Sequence, residues 1–70
     1  MIKKGFLREY CKKHNMTIKN MAEKTGIKIY LLYFYNRLVR FPSRKNINII
    51  CNFTNNEITP MDLINAKEEK

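Results

Sequence analysis

The side chains best suited to chemistry in this sequence are cations interleaved with aromatic rings. Lys19, Lys28, Arg37, Arg40, Arg44 and Lys45 bracket Ile29, Tyr30, Tyr33 and Phe34. Lysine and arginine neutralise phosphates and release the counterions condensed on a polyanion. Groups for bond-making are scarce. His14 is the only histidine, with no acid or nucleophile at a catalytic spacing. Cys11 and Cys51 each lack the near neighbour that a zinc site requires. No acid pair or triad is visible. The expected chemistry is therefore binding: no enzyme activity, catalytic residue, metal, cofactor or small-molecule ligand is anticipated.

The charge is unevenly placed. The net charge is +8, with twelve Lys/Arg against two Glu in residues 1–45 and two Lys against four acids in residues 46–70. The first two-thirds is thus the part that would face a polyanion. With 44% hydrophobic and 29% charged residues the chain suits a folded domain rather than a disordered tail. Seventy residues allow one domain, with a small core or one completed by dimerisation. No apolar run nears the ~20 residues of a membrane span, and the basic start lacks an apolar signal core. A cytoplasmic protein without membrane contact is expected.

Periodicity places these groups on an all-α, four- to five-helix bundle. Phe6, Leu7, Tyr10, Cys11 and His14 mark one face of a helix at about 4–14. Thr17 is an N-cap for a second helix, 17–25, which buries Ile18 or Met21, then Ala22 and Thr25. Gly26 ends that helix in left-handed backbone, and Ile27 plugs the turn. A third helix, 28–38, turns Leu31 or Leu32, Tyr35 and Leu38 inward. Its outer side carries Lys28, Ile29, Tyr30, Tyr33, Phe34 and Arg37. Two short helices around one glycine, followed by cations, have the layout of a helix-turn-helix.

Phe41-Pro42 stops the third helix, and Ser43 caps a fourth, 43–54, with Ile47, Ile50, Cys51 and Phe53 inward. Thr54-Asn55-Asn56 is turn chemistry. Thr59-Pro60-Met61-Asp62 combines a threonine cap, a proline at the first position and an acid at the third, predicting a last helix at 60–65. Met61, Leu63 and Ile64 would fold back onto the core, and residues 65–70 would fray. The β-branched Ile47, Ile49 and Ile50 leave an alternative open: a winged helix-turn-helix with a β-hairpin in 46–60.

Residues 6–64 resemble the Cro/repressor-type helix-turn-helix regulators of phages and prophages. The matching positions are Thr17, Met21, Ala22, Gly26, Ile27, Leu32 and Tyr35, then Phe41-Pro42-Ser43, then TNNEITPMDLI at 54–64. The resemblance implies a sequence-specific repressor that binds a two-fold operator in double-stranded DNA as a homodimer. It also implies that Ile18, Lys28, Ile29, Tyr30, Tyr33, Phe34 and Arg37 face DNA. Lys19, Arg40, Arg44 and Lys45 join them as phosphate contacts, as does the backbone N–H near Ile18. The chain departs from the family where glutamine is usual at Ile18, serine or threonine at Lys28, and glycine near Leu38-Val39.

TIKNMAEKTGI with Leu32, Phe34, Tyr35 and Arg37 is also similar to the MerR-type helix-turn-helix, although the basic wing of that family is absent from 44–60. Two other functions stay open: a MerR- or excisionase-like architectural DNA-binder, and a protein-interaction module such as an antitoxin or anti-repressor gripping its target with the aromatic helix.

Overall fold

Five helices form where the caps and the apolar spacing place them. A computed structural model describes residues 2–69, with α1 (Phe6–Lys13), α2 (Ile18–Thr25), α3 (Ile29–Asn36), α4 (Arg44–Phe53) and α5 (Pro60–Glu69). No strand occurs among the described residues. The winged alternative is therefore wrong: Ile47, Ile49 and Ile50 lie within α4. Pro42 and the Ser43 hydroxyl, which accepts from the Asn46 N–H at 3.3 Å, start a helix there, and that local signal outweighs β-branching.

The other starts follow the same logic. Thr17 and Asn20 form a reciprocal capping box, with bonds of 3.0 and 3.1 Å. Thr59 and Asp62 form a second, at 3.1 and 3.3 Å. Three helices stop in the same way. The N–H groups of Met16, Val39 and Asn56 return to the carbonyls of Cys11, Phe34 and Cys51 at 2.8, 3.0 and 2.8 Å. Each stop turns through left-handed backbone: Asn15, Leu38, or Asn55 followed by Asn56. This is the Schellman arrangement. Asparagine tolerates it; leucine does so at roughly 1–2 kcal/mol.

The core joins Phe6, Leu7 and Cys11 of α1 to Ile18 and Met21 of α2 and Leu32 and Tyr35 of α3, then to Ile50, Cys51, Ile58 and Leu63. Ile27 fills the turn between α2 and α3. α1, α2 and α3 pack on one another, α4 joins through α2, and α5 closes against α4. The Tyr35 hydroxyl accepts from the Asn46 amide at 2.9 Å, tying α3 to α4. The Cα radius of gyration is 10.7 Å, against about 11 Å expected for a folded chain this long.

Three expectations need correction. α5 does not stop at 65; it continues to Glu69, because Ala, Lys and Glu favour helix. Lys70, the last residue of the tail expected to fray, lies outside the described residues. Met61 and Ile64 do not reach the core but stay exposed; Leu63 alone of that trio is buried, and Ile58, from the preceding loop, supplies the missing apolar contact. Leu38 leaves the helix two residues after its end and packs only partly buried against the core. No helix among the described residues is long and apolar enough to cross a membrane.

Candidate nucleic-acid interface

Gly26, Ile27 and Lys28 are the whole connection between α2 and α3, and hydrogen bonds fix its path. Gly26 has φ +78° and gives its N–H to the Ala22 carbonyl at 2.9 Å. The Thr25 hydroxyl donates to the Met21 carbonyl at 2.7 Å and accepts from the Ile27 N–H at 3.2 Å. Lys28 then sits in extended backbone at the mouth of α3, exposed, with no side-chain cap.

α3 reads Ile-Tyr-Leu-Leu-Tyr-Phe-Tyr-Asn and carries no charge. A helix that is apolar all round is ordinarily buried all round. This one buries Leu32, Tyr35 and Asn36 and leaves Ile29, Tyr30 and Tyr33 at 37%, 51% and 41% exposure. Phe34, expected on the outer side, is half-buried. Its ring meets Tyr30 edge-on, with centroids 6.0 Å apart, and the Arg40 guanidinium lies 5.4 Å from its centroid. Phe34 is therefore the support on which Tyr30 and Arg40 are held. Arg37 is exposed at the far end of α3.

Ile18 is a correction. Its side chain is only 6% exposed and belongs to the core, because the position after the Thr17 cap faces inward and isoleucine gains more there than in solvent. Only its backbone N–H, an orphan donor of the first helical turn, suits an anion. Lys19 is exposed beside it. Lys19 and Tyr33 line a groove of about 400 Å³ with Arg8, Lys12 and Thr17, and Cys11, Met16 and Ile18 contribute to its lining. Sequence reasoning left out Arg8 and Lys12. Their i, i+4 spacing on the side of α1 away from Leu7 is the signal that could have found them.

The structure thus brings Lys19 together with Tyr33, and Tyr30 together with Phe34 and Arg40. It does not bring Arg44 into either group. Arg44 lines a separate groove of about 660 Å³ with Phe41, Pro42, Ile47, Leu63 and Ile64. Lys45 is exposed at the start of α4.

Burial pushes both the Cys11 and Cys51 thiols up from their ordinary value, with Asp62 adding to the effect at Cys51; a thiol so held is a poor nucleophile. His14 stacks on Tyr10 at 4.3 Å and meets the Glu57 carboxylate at 3.1 Å. That hydrogen bond, with help from Lys13, holds the Glu57 carboxyl below its ordinary range. Burial, then Glu57 and Cys11, raise the Tyr10 phenol. No group of three or more His, Cys, Asp or Glu residues among the described residues could hold a metal ion.

Comparison of the chain with protein-family models, curated proteins and solved structures gave no match.

Proposed function

We propose that this chain binds double-stranded DNA as a small transcriptional regulator of the Cro/repressor type, acting in the cytoplasm as a homodimer on a two-fold site. The observation that carries the reading is the outer flank of α3. It is a short, uncharged helix, half uncovered, placed after a tight three-residue turn and ringed by Lys19, Lys28, Arg37 and Arg40. A helix lies in the major groove with phosphates on either side of it. An apolar ridge between cations has the chemical layout that such a groove accepts.

The scale of a two-fold operator supports a dimer. The longest extent of the molecule is 29 Å, while half-sites of a two-fold operator lie about 34 Å apart. Exposed Met61 and Ile64 on α5 offer apolar surface for a second copy.

The test is fluorescence anisotropy with a labelled random duplex across a salt series. Binding at low salt should weaken by about 0.9 log units per log unit of salt for each phosphate contacted. Five to seven contacts would give a slope of roughly −4.5 to −6.3. A chain indifferent to every duplex at low salt refutes the reading. The same exposed Ile29, Tyr30 and Tyr33 favour one competitor, a protein-interaction module of the antitoxin or anti-repressor kind, since uncovered apolar patches attract partners. Indifference to duplex would leave that competitor standing.

A further inference from the structure

We infer that the exposed flank of α3 recognises the 5-methyl groups of thymine in the major groove of A·T-rich duplex DNA. This rests on the DNA-binding reading above and names the surface that the helix reads.

The argument starts from what α3 lacks. Bases are ordinarily told apart by bidentate side chains: arginine or lysine on guanine, asparagine or glutamine on adenine. α3 contains one amide, Asn36, and its oxygen is already engaged by the N–H groups of Leu7 and Arg8 at 2.9 and 3.1 Å. Asn36 is buried. The exposed positions are Ile29, a pure hydrocarbon, and two tyrosines with one hydroxyl each. Lys28 and Arg37 sit at the two ends of the helix, off the Ile29–Tyr30–Tyr33 flank, and serve in this reading as phosphate contacts. Arg40 is held against Phe34.

A flank of this kind gains only where it meets hydrocarbon. In the major groove the thymine methyl is the apolar feature of the base edges. Pairing the same flank with guanine or cytosine edges would strip water from donors and acceptors and return few hydrogen bonds. The occupant is a duplex rather than a protein because of charge: residues 1–45 carry twelve cations and two acids, which complements a phosphate backbone.

The experiment compares three duplexes of one length at one fixed salt concentration: A·T-rich, the same sequence with deoxyuridine for every thymine, and G·C-rich. Deoxyuridine keeps the pairing and removes only the methyl group. The thymine duplex should bind most tightly. The uridine duplex should lose about fourfold per methyl covered, so roughly 15- to 60-fold for two or three. Methylating cytosine at C5 in the G·C-rich duplex should recover part of the deficit. Tyr30→Ala combined with Ile29→Ala should close the thymine–uridine gap and leave the salt slope unchanged. Both side chains are exposed, and the nucleobase swap on the unaltered protein needs no variant at all.

Equal affinity for thymine and uridine duplexes overturns the inference and leaves DNA binding intact; so does a preference for G·C. Indifference to all three at low salt overturns both the inference and the DNA-binding reading together.

Discussion

The amide oxygen of Asn36, the last residue of α3, accepts the backbone N–H of Leu7 in α1 at 2.9 Å. It also accepts from Arg8 at 3.1 Å, and the Asn36 carbonyl takes the Gly5 N–H at 2.7 Å. Gly5 precedes α1 at φ +90° and has no side chain with which to cap it. The cap is therefore supplied from the far end of another helix, 29 residues along the chain from Leu7. One side chain satisfies two orphan donors and sets where α3 lies against α1.

Asn36→Ala should lower stability by about 2–3 kcal/mol, since one buried and one part-buried donor lose their acceptor. In a domain of this size that is a fall in Tm of roughly 10–20 °C. Urea denaturation should show a lower midpoint with an unchanged slope. A loss under about 0.5 kcal/mol would mean that the bond does not position α1.

Leu38 makes an opposite kind of prediction. It occupies left-handed backbone, φ 57°, where two other helices of the chain use asparagine. Leu38→Gly removes a strain of roughly 1–2 kcal/mol, but gives up a partly buried side chain worth about 1 kcal/mol and adds chain entropy of a similar size. The terms nearly cancel, so the change in stability should stay within about 1 kcal/mol. Leu32→Ala, one helical turn and a half earlier and fully buried, should lose about 2–5 kcal/mol. Thermal unfolding of the two variants side by side decides the matter. If Leu38→Gly is as damaging as Leu32→Ala, the left-handed turn carries no strain.

The Glu57 carboxyl is held below its ordinary value of 4.5, first by the His14 hydrogen bond. A depressed carboxyl stabilises the fold above its unfolded pKa, and that contribution is lost as pH falls through the folded value. The benefit of Glu57 should thus be complete near neutrality and fade below 4.5. Glu57→Gln should lower Tm slightly at neutral pH, and the two melting curves should converge in acid. The effect is small because the group is exposed to solvent. A gap between wild type and variant that widens in acid would contradict the sign.

Local signals were legible where one residue decides one piece of backbone. Thr17, Gly26, Ser43 and the Thr59–Asp62 pair each fixed a helix end within two residues, because capping is settled by neighbours in sequence. Asn36 was illegible because its donors lie in α1, beyond any local window. The same holds for Glu57, whose partner His14 is 43 residues away. In the candidate interface, Ile29, Tyr30 and Tyr33 were placed outward by helical spacing alone and are exposed. Phe34 was placed outward and is half-buried: spacing gives a direction around a helix but not whether a neighbouring segment, here Arg40 returning from the loop, lies over it. Ile18 was placed inward by spacing and is buried; only the family resemblance turned it toward DNA.

Ile18 and Lys19 are adjacent, yet one is buried and the other exposed, which yields a paired test. Ile18→Ala removes a buried side chain and should destabilise by about 2–4 kcal/mol. Among molecules that remain folded, DNA affinity and salt slope should be unchanged. Lys19→Ala takes an exposed cation from the groove it shares with Arg8, Lys12 and Tyr33. Stability should move by less than about 0.5 kcal/mol, while the salt slope of duplex binding should fall by about 0.9 for the lost phosphate contact. Arg8→Ala should act in the same way. That weakening should be uniform across sequences, because a phosphate contact carries no base information. Should Lys19→Ala leave the salt slope untouched while Ile18→Ala shifts it, the groove does not face the phosphates, and the duplex approaches α3 from another side.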